Sequence, residues 1–354
     1  MAYTNIDDPS AFFQTTLYTG NNTGGASLNV TNSGNSDLQP DWVWIKSRSG
    51  ASNHNCSDSS RGATKHLAQN ITYQEEIVSG ISGYNSNGFT VGSNNDANFN
   101  GGTFAAWQWI ANGGTTSSNT DGSITSTVQA NQDAGFSIVT YTAPSSSGNF
   151  TAGHGLGVKP AMMITKSRSA AGGWWIWHKD LAQPNYYIGL HSTGAQAYAA
   201  NMWGAGFDTS TIGLNVTASG QASATYVAYC FAEKQGYSKF GKYVGNGNAD
   251  GPFVYTGFKP AFVMIKRTDS TSGWFIQDIK RGIRNSNSGT ALEANTNLAE
   301  SGIGATNYDI DFLSNGFKLR QSNAYLNASG GSYIYMAFAE NPFTTSTGIP
   351  TTAR

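Results

Sequence analysis

Charge is scarce in this chain. Of its 354 residues only 12% are Asp, Glu, Lys or Arg, about half the share usual for soluble proteins. The 20 basic and 21 acidic residues nearly cancel to a net charge of −1, and the basic residues form no cluster. A nucleic-acid-binding protein normally carries a basic stripe, so the composition argues against that class of partner.

Cysteines and long apolar runs are also few. The two cysteines, Cys56 and Cys230, cannot form a disulfide framework or a zinc site, and we expect free thiols in a protein made in a cytoplasm. No apolar run approaches the roughly 20 residues of a membrane-spanning helix. The opening MAYTNIDDPSAFF lacks the basic and apolar regions of a signal peptide. We therefore predict neither membrane insertion nor a secretion signal.

Aromatic residues and glycine, in contrast, are abundant. The chain has 18 Phe, 17 Tyr and 9 Trp, and 38% of its residues are hydrophobic, which is enough for sizeable cores and argues against disorder. Its 43 glycines occur among many Asn, Ser and Thr residues, a composition typical of polar turns. The length allows two or three domains.

One segment recurs three times. It reads QPDWVWIKSRSGASNHNCSD at 39–58, KPAMMITKSRSAAGGWWIWH at 159–178 and KPAFVMIKRTDSTSGWFIQD at 259–278. In each copy a lysine follows the proline by six residues, and these lysines are Lys46, Lys166 and Lys266. Each copy later has a Gly-Phe motif and closes on an aromatic segment. A period of about 100 residues is too long for a solenoid unit, so we expect each copy to bury its own core as a domain.

Six segments follow from this repeat. The predicted boundaries are an N-terminal arm at 1–11, repeat 1 at 12–113, a linker at 114–134, repeat 2 at 135–236, repeat 3 at 237–343 and a C-terminal tail at 344–354. Segment 114–134 is rich in Gly, Ser, Thr and Asn, which is typical of linkers.

Short alternating apolar runs predict strands. In WVWIK, Trp42 and Trp44 lie on one face and Val43 and Ile45 on the other, which predicts a central strand covered on both faces. Polar turn signals separate such runs throughout the chain. We predict an all-β fold of three tandem antiparallel β-sandwiches, of the jelly-roll or lectin-like type, with about eight strands each.

The inventory for catalysis is thin. The five histidines have no matching histidine in the other copies, and the chain has no nucleophile elbow or phosphate-binding loop. The recurring acids stand one per copy at strand ends, unlike the paired carboxylates of a glycosidase. We predict no enzymatic activity, catalytic residue, cofactor or metal, and the sequence leaves calcium binding open.

Two groups of residues are candidates for a ligand or an interface. Asp278 and Arg281, like DSSRG at 58–62, form either a ligand-binding pair or an ion pair that closes a turn, and we favour the turn. The second group is Trp174, Trp175, Trp177 and His178. It predicts either an aromatic platform for a sugar or packing against a neighbouring domain or subunit, and we favour packing. Gln277 replaces Trp177 in repeat 3, which predicts that this face is solvent-exposed there.

One long segment, YVAYCFAEKQGYSKFGKYVGNGNADGPFVYTGFKPAFVMIKRTDSTSGW, and two shorter ones, FLSNGFKLR and NASGGSYIYMAFAENPF, carry a resemblance to known proteins. With these segments the sequence resembles a family of β-rich virion structural proteins of tailed bacteriophages, seen especially in marine phages. The resemblance covers nearly the whole chain and is most specific from Tyr226 to Phe343. Members are labelled as tail fibres or are uncharacterised, and the family supplies no catalytic residue.

The resemblance implies a virion protein made in the host cytoplasm. One reading is a tail fibre or receptor-binding protein that adheres to a host surface glycan. The other is a capsid decoration or head-fibre protein. Both imply contacts with other virion proteins and a homo-oligomer, with a trimer as one option. A third reading, a free lectin or a secreted glycan-active enzyme, fits the missing signal peptide and few carboxylates less well.

Overall fold

The computed structural model describes residues 3–281, 290–300 and 308–351. Residues 1–2 of the arm and 352–354 of the tail lie outside the described residues. The described chain is all-β, and each of its helices is a single turn. These helices are Pro9–Ala11, Asn95–Asn98, Ile279–Arg281 and Ala324–Asn327. No helix in the described residues is long and apolar enough to cross a membrane.

The described chain contains 27 strands. Repeat 1 contains β1 Phe13–Thr19, β2 Leu28–Thr31, β3 Trp42–Ser47, β4 Asn55–Asp58, β5 Lys65–His66, β6 Glu76–Ile77, β7 Ile81–Asn85, β8 Gly88–Val91 and β9 Thr103–Trp109. Between repeats 1 and 2 lie β10 Ser117–Asn119 and β11 Ser126–Asn131. Repeat 2 contains β12 Phe136–Thr142, β13 Asn149–Gly153, β14 Met162–Ser167, β15 Trp174–His178, β16 Tyr186–Gly189, β17 Ala197–Tyr198, β18 Thr211–Asn215 and β19 Thr225–Phe231. Repeat 3 contains β20 Ser238–Val244, β21 Phe253–Tyr255, β22 Phe258–Arg267, β23 Trp274–Asp278, β24 Leu292–Glu293, β25 Ile310–Leu313, β26 Gly316–Leu319 and β27 Ser332–Pro342.

The three repeats share one strand order. Their main sheets contain the equivalent four-strand orders β1-β9-β3-β4, β12-β19-β14-β15 and β20-β27-β22-β23, all antiparallel. The sheet of repeat 2 continues through β16 and β17, and that of repeat 3 through β24. A smaller sheet accompanies each main sheet: β2-β8-β7, β13-β18 and β21-β26-β25. The register places Lys46, Lys166 and Lys266 at the same point of the three sheets, opposite Ala105, Val227 and Ile334 respectively. Equivalent positions in the repeats can therefore be read directly from the strand pairing.

The prediction that the proline-led strand is covered on both faces is confirmed for β3. Trp42 and Trp44 belong to one buried apolar cluster, and Val43 and Ile45 belong to another. Strand alternation places the two pairs on opposite faces. Each face of this strand therefore packs against different parts of the molecule.

The core differs from the expectation that each repeat buries its own. One apolar cluster contains side chains of all three repeats. In it, Trp42 of repeat 1 stacks on Tyr229 of repeat 2 with ring centroids 4.3 Å apart, and Trp109 lies 6.0 Å from Phe262 of repeat 3. The inner face of each main sheet carries aromatic side chains, which are buried by packing against the neighbouring repeats. Repeats 1 and 2 also have separate outer clusters, whereas the outer core of repeat 3 is continuous with the shared one.

Segment 114–134, expected to be a linker, contributes strands instead. Strand β11 pairs with β12, and β10 pairs with β11, so both extend the main sheet of repeat 2. Val128 and Gln129 are buried there. The exposed edge of β12 offers unpaired backbone groups, and this segment satisfies them although its composition is that of a linker.

The N-terminal arm and the tail both dock on the described chain. Thr4 donates its hydroxyl to the carbonyl of Gln235 at 2.7 Å, at the junction of repeats 2 and 3. Asp7 accepts hydrogen bonds from the backbone N–H and the hydroxyl of Ser346, each at 2.6 Å. Backbone and side-chain bonds therefore hold the arm and the tail close to each other.

Candidate functional site at the junctions of the repeats

The three recurring lysines are buried at the junctions between repeats. Lys46, Lys166 and Lys266 are at most 1% exposed, and none forms a salt bridge with a described carboxylate. Each Nζ instead donates to a backbone carbonyl of another repeat. The acceptors are Asn297 at 3.2 Å for Lys46, Thr72 at 3.1 Å for Lys166 and Thr193 at 3.0 Å for Lys266.

These bonds close a ring. Repeat 1 donates to repeat 3, repeat 3 to repeat 2, and repeat 2 to repeat 1. Each ammonium also bonds a carbonyl of its own repeat, at Ser47, Gly172 or Ser272. Burial lowers the pKa of Lys46 and Lys166 to about 8 and that of Lys266 to about 7, because the charged form loses its hydration.

A second ring surrounds the first at the start of β4, β15 and β23. His54, Trp174 and Trp274 occupy equivalent positions there, because the strands that follow them pair in the same register. Each bonds a backbone carbonyl of the preceding repeat. The pairs are His54 Nε2 with Glu293 at 3.0 Å, Trp174 Nε1 with Ala68 at 2.8 Å and Trp274 Nε1 with Gly189 at 2.8 Å.

The tautomer of His54 follows from its partners. Trp44 Nε1 donates to His54 Nδ1 at 2.7 Å, so the proton of a neutral imidazole lies on Nε2 and points at the carbonyl. Burial lowers the pKa of His54 to about 3. The imidazole is therefore neutral at physiological pH and takes the role of the indole N–H in the other repeats.

The junction of repeats 1 and 2 contains a buried ionic network. Arg61 Nε bonds Asp58 at 2.5 Å, and Arg61 Nη1 bonds Glu75 at 2.9 Å. Arg168 of repeat 2 bonds the same carboxylate of Glu75 at 2.9 Å. Tyr229 of repeat 2 donates its hydroxyl to Asp58 at 2.7 Å. Since Asp58 and Arg61 are three residues apart, the pair closes a turn and also binds the next repeat.

The junction of repeats 3 and 1 repeats this arrangement. Arg281 Nε bonds Asp278 at 2.6 Å, and Arg281 Nη1 bonds Glu300 at 3.0 Å. Arg48 of repeat 1 bonds Glu300 at 2.6 Å. Trp107 of repeat 1 donates its indole N–H to Asp278 at 3.0 Å, where the other network has Tyr229. The guanidinium of Arg281 also lies 5.9 Å from the ring centroid of Trp107.

The junction of repeats 2 and 3 has no charge at the equivalent positions. His178, Leu181 and Gln196 replace the Asp, Arg and Glu, and Thr268 and Met336 replace the partners in the next repeat. His178 Nε2 lies 3.2 Å from the carbonyl oxygen of Tyr335. Burial lowers the pKa of His178 to about 4, so it is neutral near pH 7. Loss of the carboxylate thus coincides with loss of every group that would have paired with it.

Backbone bonds support the equivalence of the three junctions. The N–H of Glu75, Gln196 and Glu300 bonds the carbonyl of Arg168, Thr268 and Arg48 respectively, at 2.8 to 2.9 Å. The acceptor of each bond lies two residues after a buried lysine. The same backbone scaffold therefore carries a charged side-chain network twice and a neutral one once.

The residues singled out from the sequence do not converge on one site. Asp278 and Arg281 lie at the junction of repeats 3 and 1, and His178 lies at the junction of repeats 2 and 3. Trp174 is buried in the shared core. Its indole takes part in the junction and does not face solvent.

The outer tryptophans of β15 belong to repeat 2 itself. Trp177 is 3% exposed and stacks on Phe207 at 4.0 Å, and Trp175 is half-buried, edge-on to Tyr187 at 5.1 Å. The expectation that Gln277 marks a solvent-exposed face is wrong, because Gln277 is 1% exposed and donates to the carbonyl of Tyr308.

Sequence reasoning missed the two glutamates that join the junctions. Glu75 and Glu300 lie three residues after Thr72 and Asn297, the acceptors of the lysine bonds. No repeat motif was visible around them. The signal that was present is the basic residue two positions after Lys46 and Lys166, since a recurring cation beside a buried strand needs an acidic partner.

The junctions hold neither a metal site nor a disulfide in the described part of the chain. No group of three or more His, Cys, Asp and Glu side chains there could hold a metal ion. Cys56 and Cys230 are buried free thiols, and burial raises the pKa of Cys56 to about 11 and that of Cys230 to about 12. Their thiolates are therefore scarce at neutral pH.

Comparison with known proteins yields a family and no closer relative. No curated protein and no solved structure matches the chain. One family covers residues 8–342, which takes in all three repeats and the strands between repeats 1 and 2. The chain belongs to that family, which is described as Domain of unknown function (DUF7483).

Proposed function

We propose that this protein is a structural component of a bacteriophage particle, a tail-fibre or receptor-binding protein that acts by non-covalent adhesion. The resemblance from Tyr226 to Phe343 supports the phage assignment. The hydrogen bonds that join each repeat to the next support the proposal of a structural role. The three buried lysines, with Asp58 and Asp278, join one repeat to the next, an arrangement that serves cohesion.

This cohesion suits a protein that works outside a cell. A particle protein cannot be refolded by chaperones, so its lifetime depends on the barrier to unfolding. Separating any two repeats would expose a buried lysine and aromatic core together. Breaking a buried ion pair leaves an uncompensated charge, which costs about 3–5 kcal/mol. Local opening at one junction is therefore disfavoured.

We also propose that each repeat is a β-sandwich of the jelly-roll type. A main sheet accompanied by a smaller sheet supports a two-layered unit. The shared strand order supports an origin of all three units from one repeated sequence.

The partners in this proposal are other virion proteins and further copies of the chain. Phe253 and Tyr255 lie on the same face of β21 and are 44% and 57% exposed, and aromatic side chains are enriched in protein interfaces. Replacing both by Ser should lower the sedimentation coefficient of the assembled protein and leave its β-sheet circular dichroism spectrum intact. An unchanged sedimentation coefficient would show that β21 is not part of the interface between copies.

The test of the proposed function is to locate the chain on purified phage particles by cryo-electron microscopy, and to measure binding of the purified protein to host cells. Density at the tail tip or baseplate, with saturable cell binding, is the expected result. Density spread over the capsid lattice would replace adhesion by capsid decoration. Particles that lack the protein altogether would overturn the virion assignment.

A further inference from the structure

One position of the first strand breaks the equivalence of the three repeats. Thr15 of β1 pairs with Trp107, as Ile138 of β12 pairs with Tyr229, and Phe240 of β20 with Met336. Ile138 and Phe240 are fully buried apolar side chains of the shared core. Thr15 is smaller and polar, so repeat 1 brings less volume to its junction with repeat 3.

The corresponding space between repeats 1 and 2 is occupied. Gln129 Nε2 donates to the hydroxyls of Ser59 and Ser60 at 2.9 and 2.8 Å. Its Oε1 accepts from the backbone N–H of Gly114 at 2.9 Å. Ser59 and Ser60 follow Asp58 as Ile279 and Lys280 follow Asp278. A side chain from segment 114–134 therefore covers this junction.

The corresponding space between repeats 2 and 3 is occupied too. Phe240 fills the position of Thr15, and its N–H donates to Glu233 at 3.1 Å. Lys179, which is equivalent to Ile279, bonds the same carboxylate at 2.7 Å. An aromatic ring and an ion pair thus cover this junction.

Between repeats 3 and 1 the space remains an open cleft of about 250 Å³. Phe13, Ile279 and Ala339 give it an apolar part. Thr15 also lines it and is 5% exposed, yet its hydroxyl has no hydrogen-bond partner among the described residues. Because this oxygen is itself buried, Thr15 sets the volume of the cleft through its small side chain and does not present its hydroxyl to a ligand.

The rim of the cleft supplies further polar groups. Lys280 is exposed and makes no salt bridge with a described residue, and Asn341 is half-buried beside it. Glu340, which also lines the cleft, is paired with Lys259 at 2.6 Å. The amide can donate to and accept from a ligand rich in hydroxyl groups, and the ammonium can donate to it.

We propose that this cleft binds a single sugar residue of a host surface glycan. The inference rests on the proposed adhesive function and names its site. A sugar ring has an apolar C–H face for the wall of Phe13 and Ile279, and hydroxyls for Lys280 and Asn341 at the rim. The volume lies below the roughly 300–1,000 Å³ typical of pockets for drug-sized ligands, which suits one ring better than a chain of several.

The other repeats provide the test variants. Thr15→Ile and Thr15→Phe introduce the side chains of repeats 2 and 3 and should fill the cleft. Glucose, galactose, mannose, N-acetylglucosamine and glucuronate are the probes, and binding is measured by saturation-transfer NMR on the full chain. We expect at least one sugar to bind the wild type, and Thr15→Phe to weaken it at least ten-fold. Thr15→Ser, which keeps a small side chain and leaves the cleft open, should bind within about two-fold of the wild type.

Two further variants separate binding from folding. Asn341→Ala removes a polar group at the rim without filling the cleft, and it should weaken binding of the same sugar. This variant provides the test if Thr15→Phe does not fold. Tyr73→Ser, at an exposed tyrosine that does not line the cleft, should leave binding unchanged. Binding of no probe, or binding that survives both Thr15→Phe and Asn341→Ala, would overturn the inference.

Cell binding distinguishes this inference from the proposed function. If wild type and Thr15→Phe bind host cells equally well, adhesion stands and the cleft is not its site. If the sugar binds the wild type and Thr15→Phe abolishes its binding, but the protein is absent from particles, the cleft stands and the virion assignment fails.

Discussion

At the scale of single residues, the junctions depend on lysines that are buried without carboxylates. An isolated buried ammonium is costly, but the two carbonyl oxygens around each Nζ replace part of its lost hydration. Those carbonyls in turn have the ammonium as their partner. Lys266 has the most strongly lowered pKa of the three, about 7.

Removing such a lysine should therefore destabilise the protein. Lys266→Ala removes the ammonium that donates to the carbonyls of Ser272 and Thr193, although Thr193 keeps the N–H of Ser272 as a donor, and it opens a cavity at the junction. We expect a loss of about 2–4 kcal/mol in the free energy of unfolding, measured by urea denaturation. Lys242→Ala, at a lysine whose side chain is 68% exposed, should change it by less than about 0.5 kcal/mol. Equal effects of the two variants would contradict this role.

His178 should make the protein sensitive to acid. Its pKa is lowered from 6.5 to about 4 by burial, so the unfolded state binds more protons between these values. The contribution is full above pH 6.5 and is lost as pH falls towards 4. One unit corresponds to 1.36 kcal/mol, so the full loss is about 3 kcal/mol.

The variant His178→Gln removes this titration. The difference in unfolding free energy between pH 7 and pH 4.5 should shrink by roughly 2–3 kcal/mol relative to wild type. His191→Gln is the matched control, because His191 is less buried and its pKa is also lowered, and its effect should be smaller. An unchanged pH dependence in His178→Gln would show that His178 does not contribute to the acid sensitivity.

At the scale of elements, the strands between repeats 1 and 2 bind those repeats together. Strand β11 pairs with β12 of repeat 2, while its Gln129 bonds Ser59 and Ser60 of repeat 1. Its amide oxygen also accepts from the backbone N–H of Asn112 and Gly114. The segment is thus a structural part of the junction.

We expect Gln129→Ala to destabilise the protein by about 2–3 kcal/mol, because several polar partners lose their bonds in a buried place. Thermal and urea unfolding measure this loss. Gln132→Ala, which removes one exposed hydrogen bond to Gly155, is the control and should stay within about 0.5 kcal/mol of wild type. A negligible change in the free energy of unfolding of Gln129→Ala would show that the segment acts only as a linker.

How much of this was predictable can be judged from particular elements. The alternation in WVWIK predicted a strand covered on both faces, because period-two patterns report burial directly. The strands at Ser117 and Ser126 were not predictable, since pairing along the edge of β12 overrode a composition typical of linkers. The prediction of an exposed face at Gln277 was wrong because the sequence does not distinguish a buried amide from an exposed one.

At the scale of the whole molecule, the central claim is that three repeats form one cooperative body. The shared aromatic core and the ring of junction bonds join each repeat to both others. Two junctions add buried Asp–Arg–Glu networks and the third has neutral side chains at those positions, while among the described residues the junction of repeats 3 and 1 keeps the open cleft described above. The candidate ligand site thus arises where the pseudo-symmetry is broken, which a motif search within one repeat cannot reveal.

Differential scanning calorimetry of the full chain tests this claim most directly. If the repeats share a core, unfolding should give one transition whose calorimetric and van't Hoff enthalpies agree. Lys266→Ala should move that entire transition to lower temperature. Two or three resolved transitions, of which the variant shifts only one, would contradict the claim and show that the repeats are independent domains.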